Sequence, residues 1–506
     1  MYQAMTSLAF AADSTFKKPT DLRGAPAGAS VLILGAGLAG MIAAYELRKA
    51  GYRVQVLEYQ NRAGGRNWSL YGGDSYTELG GFTQKVEFDK GLYLNPGPWR
   101  IPHHHRGILH YAKTLGVAME PFIEINYAAY LHSAKAFGGK PQRFREIKAD
   151  YEGYVAELLA KAVQQQKLDQ AVSKEDQEIL LESLRSWGAL DPDFKYKKGL
   201  TASRRRGFEL PAGGGPSGAP LPSDPIALSD ILKSRLWAEL SASNVFDDQQ
   251  TMFQPVGGMG MIGRAFGKAL EGVIRYNAKV TDIRQDASGV TATFVDTVKG
   301  GAPQTARADW CVCAIPATVL SQIPMNVGAP LQAAINSIPY LSSVKVGLQM
   351  KRRFWEEDDA IFGGITYTDL AINRIGYPST DYFKSGKGVL LGAYMFGPDA
   401  VKFTSMPPEQ RVKIAVEQGA KIHPQYRTEF ENGISIAWHR VPWTLGCAAY
   451  NWGRNGNEET YKNLCAIDGR IVLAGEHASR ITAWQEGAVL SSLDAISRLH
   501  QRIVQS

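Results

Sequence analysis

The sequence predicts a multidomain protein of mixed α/β and α+β class, with a parallel α/β domain, a domain built on a mixed β-sheet and an inserted helical domain. The first observation is a βαβ pattern: an apolar run at residues 31–34, a glycine turn, helical spacing over 41–50 and a strand at 53–58. The second is a mostly helical region, residues 108–250, which a β-rich region follows. The third is a repeat of the opening strand, turn and helix at residues 469–499.

Composition and charge exclude several other classes of protein. The chain has 506 residues, of which 44% are hydrophobic and 21% charged, and this length allows roughly three domains of ~150 residues. The net charge of +7 is slight, and the densest basic run, residues 204–206, is too short for a nucleic-acid-binding surface. No apolar run approaches the ~20 residues of a membrane span. Residues 1–12 lack the basic start of a signal peptide, which favours a cytoplasmic location and leaves secretion open.

The glycine turn of the βαβ pattern carries a dinucleotide-binding motif, GAGLAG. Gly35 permits the tight turn, Gly37 lets a pyrophosphate approach the backbone, and Gly40 lets the helix pack closely on the strand. The helix that begins around Ala39 presents unpaired N–H groups to the phosphates. Glu58, at the end of the second strand, would accept the ribose hydroxyls and argues against a 2′-phosphate. These features together predict a Rossmann-like site for one dinucleotide.

Two further glycine-rich segments lie outside this turn. Gly65 and Arg66 belong to an RAGGR segment just after the acidic residue, where a guanidinium could reach the pyrophosphate. A second GxGxxG match, at residues 258–263, is predicted to open a helix over 262–270 rather than bind a second dinucleotide, because Pro255 stands in what would be its strand. Without a nicotinamide site, electrons would pass to oxygen or another acceptor.

These motifs together resemble the flavin-containing amine oxidase superfamily. The matching segments follow the family order over nearly the whole chain: 35–40, Glu58, 62–66, 78–81, 255–259, 474–476 and 486–489. The resemblance implies FAD as cofactor and a discontinuous arrangement of domains. The implied division is an N-terminal arm at 1–28, an FAD-binding domain at 29–72, 253–318 and 464–503, a substrate-binding domain at 73–120 and 319–463, and a helical domain at 121–252.

Within the superfamily, the segment GPWRIP at residues 97–102 and the dipeptide His105-Arg106 resemble the L-amino-acid oxidase branch. In that branch an arginine at the position of Arg100 holds the substrate carboxylate, a role that suits a planar guanidinium. A surface arginine at the end of a turn is the alternative. The resemblance implies FAD-dependent oxidative deamination of L-amino acids to 2-oxo acids, by hydride transfer from Cα to flavin N5, with release of ammonia and hydrogen peroxide. A flavin amino-acid 2-monooxygenase, which forms the amide, and a monoamine or polyamine oxidase remain alternatives.

The resemblance also implies roles for other residues. Lys345 matches the family lysine that holds a water near flavin N5, and it is predicted to be catalytic together with Arg100 and Trp484. For the aromatic side chains, simple core packing is the alternative. The predicted substrate-binding residues are Arg100, Tyr377, Trp438, Ala483 and Trp484. The predicted cofactor-binding residues are Gly35, Gly37, Ala39, Gly40, Glu58, Gly65, Arg66, Gly97, Arg100, Val280, Trp438, Gly475, Glu476 and Trp484.

Cysteine and histidine give two more expectations. The four cysteines contain no CxxC pair, which argues against a zinc site or a disulfide framework. Cys447 falls where monoamine oxidases attach the flavin covalently, but the amino-acid oxidase branch binds FAD noncovalently, so no thioether is expected. The histidine run at residues 103–105 is expected to bind no metal, because adjacent positions point in different directions. The predicted partners are an L-amino acid, molecular oxygen and further copies of the chain, as a dimer or larger oligomer.

Overall fold

The structure is a computed structural model and describes residues 14–168, 172–216, 218–450 and 458–505, leaving out the side chain of residue 243. The first half of the predicted arm, including the segment tested for a signal peptide, lies outside the described residues. The strands are β1 (Ser30–Leu34), β2 (Arg53–Leu57), β3 (Leu70–Tyr71), β4 (Ser75–Thr77), β5 (Thr83–Lys85), β6 (Tyr93–Leu94), β7 (Ile101–Pro102), β8 (Met119–Phe122), β9 (Tyr130–His132), β10 (Gln142–Arg143), β11 (Phe208–Leu210), β12 (Leu221–Pro222), β13 (Met252–Pro255), β14 (Ile274–Arg275), β15 (Ala278–Asp286), β16 (Gly289–Asp296), β17 (Gln304–Ala308), β18 (Trp310–Cys313), β19 (Ser343–Met350), β20 (Ile365–Thr368), β21 (Arg374–Gly376), β22 (Gly388–Phe396), β23 (Phe430–Ala437) and β24 (Ile471–Leu473).

Helices occupy the segments between the strands and the C-terminus. The α-helices are α1 (Leu38–Lys49), α2 (Arg106–Thr114), α3 (Phe144–Gln164), α4 (Lys174–Trp187), α5 (Leu200–Arg206), α6 (Leu228–Ser234), α7 (Gly260–Ala269), α8 (Ala317–Leu320), α9 (Ala329–Ser337), α10 (Phe354–Glu357), α11 (Gly397–Thr404), α12 (Pro408–Gly419), α13 (Tyr426–Glu429), α14 (Glu458–Cys465) and α15 (Gln485–Gln505). Short 3₁₀ helices lie at Phe137–Gly139, Leu236–Asn244, Phe246–Asp248, Trp438–Arg440 and Glu476–Ala478. Over the described ranges, no helix combines the length and the apolar character needed to cross a bilayer.

A five-stranded parallel sheet forms the centre of the α/β domain, in the order β14-β2-β1-β18-β24. Its strands come from three separated parts of the chain, as the sequence predicts. The strand β1 is buried along nearly its whole length, which explains its continuous apolar sequence. The helices α1 and α15 pack against each other on one face of this sheet, where the Ser492 hydroxyl donates to the Ala39 carbonyl at 2.7 Å. The fold class is therefore confirmed.

A seven-stranded mixed sheet, β10-β9-β20-β21-β22-β19-β23, forms the second domain. All its neighbours pair antiparallel except β9 with β20. The strands β9 and β10 precede the long helix α3, yet they lie inside the range predicted as helical. Hydrogen bonding thus joins residues 130–143, which lie within the predicted helical domain, to the mixed sheet.

The second GxGxxG segment opens the helix α7, as predicted, but a strand does precede it. The strand β13 ends at Pro255 and pairs antiparallel with β7 and β8 in a separate three-stranded sheet. Proline is tolerated there because β7 pairs only with Met252 and Phe253, so Pro255 has a strand neighbour on one side alone. Since this strand is absent from the parallel sheet, the segment does not repeat the geometry of the first motif.

Glu486 joins three distant parts of the chain at the start of α15. Its carboxylate accepts hydrogen bonds from the backbone N–H groups of Gly107 and Ile108, both at 2.8 Å, in the first turn of α2. It also accepts a hydrogen bond from the Ser14 hydroxyl, which fixes the described end of the arm. Burial raises the pKa of Glu486, and these donors oppose that shift. The residue therefore acts as a cap for α2.

Candidate dinucleotide and substrate site

A cavity of about 890 Å³ extends from the glycine turn after β1 to the guanidinium group of Arg100. It lies between the parallel sheet and the mixed sheet. The predicted residues that line it are Gly35, Gly37, Ala39, Glu58, Gly65, Arg66, Gly97, Arg100, Val280, Trp438, Gly475, Glu476, Ala483 and Trp484. Three predicted residues, Gly40, Lys345 and Tyr377, are not part of the lining.

The glycine turn places each of its glycines under a different constraint. Gly35 has a φ of +99°, and its N–H donates to the carbonyl of Leu57 at 2.8 Å, so the turn closes onto the end of β2. A Cβ at Gly40 would stand 2.0 Å from the carbonyl oxygen of Gly35, so this residue maintains the contact of helix and strand. A Cβ at Gly37 would have no neighbour within 4 Å and would enter the open cavity. The structure therefore separates a packing glycine from a glycine that faces the dinucleotide space.

Glu58 closes the other side of this turn. Its carboxylate accepts hydrogen bonds from the backbone N–H groups of Ala36 at 2.6 Å and Gln60 at 2.8 Å. Burial raises the pKa of Glu58, and these two bonds lower it. The carboxylate is thus held rigidly at the edge of the cavity, where it can accept hydrogen bonds from hydroxyl groups.

Arg66 crosses the cavity towards the C-terminal segment. Its Nη1 donates to Glu476 Oε1 at 2.8 Å and to the carbonyl of Cys447 at 2.9 Å. The other oxygen of Glu476 accepts the N–H of Ala483 at 3.0 Å. A Cβ at Gly97 would lie 2.0 Å from the carbonyl oxygen of Arg66, so glycine is needed where these segments meet. The motif residues predicted from four separate segments thus form one connected wall.

Arg100 is held by two carboxylates at the far end of the cavity. Its Nε lies 2.8 Å from Glu124 Oε2, and its Nη2 donates to Asp248 Oδ1 at 2.8 Å. The centre of the guanidinium group lies 5.7 Å from the ring centroid of Trp484. Burial raises the pKa of Glu124 to about 7, although Arg100 opposes this shift. The prediction of Arg100 as a cavity residue did not include its acidic partners.

Two further cavity residues lie on the mixed sheet and were missed. Arg374, on β21, lines the cavity. Burial lowers the pKa of Arg374, Tyr367 and Glu239 raise it, and Arg100 lowers it. The centre of its guanidinium group stands 5.9 Å from the ring centroid of Tyr394. Tyr394, on β22, also lines the cavity. The sequence did contain a signal for Arg374, namely a cation within a strand. An arginine at a buried strand position needs an anionic or aromatic partner.

The two predicted tryptophans line the cavity from opposite domains. Trp438 is 1% exposed, and its Nε1 donates to the carbonyl of Pro96 at 2.8 Å, which fixes the ring beside the turn at Gly97. Trp484 lies directly before α15 and makes an edge contact with His105, with ring centroids 5.0 Å apart. Both rings therefore present rigid apolar surface to the cavity.

Tyr377, predicted to contact a substrate carboxylate, is not among the residues that line this cavity. Its hydroxyl bonds to Thr366 Oγ1 at 2.7 Å and to His423 Nε2 at 2.6 Å, within the core of the mixed sheet. Alternate residues of a strand point to opposite faces. Gly376, the preceding residue, instead lies against Trp99, which a Cβ there would approach to 2.2 Å.

Lys345 lies behind the cavity wall. Its Nζ donates to the carbonyl oxygens of Gly97 at 2.6 Å and Asn95 at 3.2 Å, and it stands 4.4 Å from the ring centroid of Tyr394. Burial lowers the pKa of Lys345 to about 7. The side chain therefore supports the turn that carries Arg100.

Replacing Lys345 by methionine is expected to change the pH dependence of stability. An unfolded lysine titrates near ~10.4, so between pH 7 and that value the unfolded chain binds more protons than the folded one. Stability therefore rises with pH across this window in the wild type, and the variant lacks this contribution. Melting temperatures of both proteins at pH 7.5 and 9.5 test this, with the wild type gaining relative to Lys345→Met. A constant difference between the two proteins would contradict the pKa assigned to Lys345.

The histidine run lies partly in the protein interior. His103 is exposed, whereas His104 and His105 are buried, and one ring nitrogen of each lies within 4.8 Å of a carboxylate oxygen of Asp247.

Comparisons with known proteins agree with this geometry. A family model described as flavin containing amine oxidoreductase matches residues 38–499. An L-amino-acid oxidase of Siganus canaliculatus is 26% identical over 93% of this chain and 85% of its own. The flavin-dependent L-tryptophan oxidase of Lentzea aerocolonigenes is 26% identical over 92% of this chain and 97% of its own. The structure of cyclohexylamine oxidase from Brevibacterium oxydans superposes with a TM-score of 0.60 at 16% identity, covering 94% of this chain and 99% of that one. The chain belongs to the flavin-containing amine oxidoreductase family.

Proposed function

We propose that the protein is an FAD-dependent L-amino-acid oxidase that converts L-amino acids to 2-oxo acids, ammonia and hydrogen peroxide. The observation that carries the proposal is the position of Arg100 in the same cavity as the glycine turn. A guanidinium group there would bind a carboxylate in two-point geometry and favour an amino acid over a simple amine. The names of the two curated relatives support the same reaction class.

The residues around the glycine turn fit FAD. The space over Gly37 is open, and the N-terminus of α1 faces it, which suits a pyrophosphate. Glu58 would accept the ribose hydroxyls, and Arg66 would stand near the phosphates. FAD, when bound, supplies the two-electron oxidation of the substrate's Cα–N bond. We infer that it is bound noncovalently, because burial raises the pKa of Cys447 and keeps it a thiol rather than a nucleophilic thiolate.

The chain's own residues bind and orient the amino acid. Nη1 of Arg100 takes no part in the contacts to Glu124 and Asp248, so it can donate to a substrate carboxylate. Arg374 lines the same cavity and lies close enough to Arg100 for the two cations to interact, so it would bind the second carboxylate oxygen. Trp438 and Trp484 would fix the Cα–H bond's orientation and exclude water from the reacting centre.

Anaerobic mixing of the purified yellow protein with each of the twenty amino acids tests the proposal. Loss of the visible flavin absorbance is expected with at least one L-amino acid, not with its D-enantiomer, and far more slowly with the amine that lacks the carboxylate. In air the same substrate should give equal amounts of peroxide and ammonia. Release of carbon dioxide with an amide product would instead establish a 2-monooxygenase.

A second candidate is a diamine or polyamine oxidase. The observation that favours it is the acidic character of the far end of the cavity, where Glu124 and Asp248 would attract a distal ammonium group if Arg100 turned away. Putrescine and spermidine belong in the same anaerobic series. Flavin bleaching by these amines, without bleaching by any amino acid, would replace the first proposal by this one.

A further inference from the structure

Two histidines and one aspartate converge behind Trp484. His104 and His105 directly precede α2, and Asp247 lies in the 3₁₀ helix Phe246–Asp248. Their imidazole nitrogens and carboxylate oxygen all lie within 4.8 Å of one another. The side chains are buried, with exposures of 4%, 1% and 0% for His104, His105 and Asp247. Three donors of metal-binding type therefore share one buried region, and none of the three lines the cavity.

The separations and the fixed rings suit an ion. His104 Nε2 lies 3.8 Å from Asp247 Oδ1, which is too long for a hydrogen bond. Two ligands at ~2.1 Å from one tetrahedral ion stand about 3.4 Å apart, so a small approach of the side chains would suffice. The His104 ring stacks on Phe246 with centroids 4.3 Å apart, and His105 contacts Trp484, so both rings are already oriented.

We propose that His104, His105 and Asp247 bind one divalent transition-metal ion, of which zinc is the representative. Two imidazole nitrogens and one carboxylate oxygen form a donor set that prefers zinc-class ions to magnesium or calcium, which take mostly oxygen ligands.

The ion would position two residues of the cavity. Asp247 is the neighbour of Asp248, whose carboxylate lies 2.8 Å from Arg100, and His105 lies against Trp484. Metal binding would therefore hold the turn at Phe246–Asp248 against the start of α2 and fix the orientation of Arg100. The ion would act on the cavity only through Asp248 and Trp484, so its role would be to position these residues.

Zinc binding by the FAD-loaded full-length protein tests the proposal directly. The protein is dialysed against EDTA and then against metal-free buffer, titrated with zinc chloride, desalted and analysed for zinc per chain. We expect about one equivalent in the wild type and in His103→Gln, the control that changes the exposed neighbouring histidine. In His104→Gln and Asp247→Asn we expect less than about one fifth of this. Absence of stoichiometric zinc in the wild type, or equal zinc in all four proteins, would overturn the site.

Cobalt provides a second measurement that keeps the site testable if a variant folds poorly. Cobalt(II) bound by nitrogen and oxygen ligands in a tetrahedral site shows ligand-field bands, which are read as a difference spectrum over the flavin. The wild type and His103→Gln should show these bands at one equivalent and a rise in melting temperature with metal. A wild-type spectrum identical to that of free aqueous cobalt would refute the proposal. Neither readout requires turnover, so failure of the metal site and failure of the proposed oxidase activity are distinguishable.

Discussion

Replacement of Arg100 by glutamine is expected to lower kcat/KM for the best L-amino acid by about 30- to 3,000-fold. Loss of one partner from a buried, hydrogen-bonded charge pair costs about 2–5 kcal/mol, and each 1.4 kcal/mol corresponds to about tenfold. Here the loss has two parts. The substrate carboxylate loses its guanidinium partner, and the buried carboxyl group of Glu124 and the half-buried one of Asp248 lose the cation between them.

The control variants separate the role of the guanidinium from a general effect on the fold. Arg106→Gln changes an exposed arginine of the same segment, which donates to the Ser14 carbonyl, and should leave kcat/KM within about threefold. Arg100→Lys retains a positive charge without the planar fork and should fall between wild type and Arg100→Gln. Flavin content and melting temperature are measured for every variant.

The ratio of kcat/KM for the amino acid to that for its decarboxylated amine gives the decisive readout. If Arg100 binds the carboxylate, this ratio must decrease strongly in Arg100→Gln, because the amine has no carboxylate and does not use the guanidinium contact that is lost. An unchanged ratio, with turnover lowered equally for both compounds, would show that Arg100 only maintains the structure. Retention of full amino-acid turnover would exclude the carboxylate role altogether.

The parallel domain could be predicted from local sequence because its signals are local. The strand β1 is a continuous apolar run, and the turn after it is marked by three glycines within six residues. The predicted strands 31–34 and 53–58 differ from β1 and β2 by a single residue at one end. Here periodicity and turn chemistry act within a few residues, so no long-range information is needed.

The far end of the cavity could not be predicted in the same way. Glu124 and Asp248 meet Arg100 from positions that lie 24 and 148 residues further along the chain. Tyr377 shows a different limit, because a shift of one residue in a strand transfers a side chain to the other face. On β21 the cavity side is occupied by Arg374, while Tyr377 belongs to the opposite face with His423.

Alanine at Gly37 is expected to weaken FAD binding while leaving the apoprotein folded, whereas alanine at Gly40 is expected to destabilise the apoprotein itself. Gly37 has φ −72° and ψ 176°, a conformation that alanine adopts without strain, and its new methyl group would enter only the open cavity. At Gly40 the methyl group would stand 2.0 Å from the Gly35 carbonyl oxygen and 3.3 Å from the side chain of Ile33. The two substitutions add the same atom three residues apart in one motif.

The magnitudes follow from what each methyl group meets. Overpacking costs about 1–3 kcal/mol; at Gly37 this cost falls on the complex, so the Kd for FAD should rise about tenfold or more. At Gly40 it falls on the contact between α1 and β1, so the melting temperature of the apoprotein should drop by several degrees. Both quantities are measured on deflavinated protein, by thermal melting and by FAD titration through quenching of flavin fluorescence. Equal loss of melting temperature in the two variants, with unchanged FAD affinity in Gly37→Ala, would mean that the cavity over Gly37 is not where the pyrophosphate binds. Weaker FAD binding in Gly37→Ala, together with a lower melting temperature only in Gly40→Ala, would show that Gly37 serves cofactor binding and Gly40 serves folding.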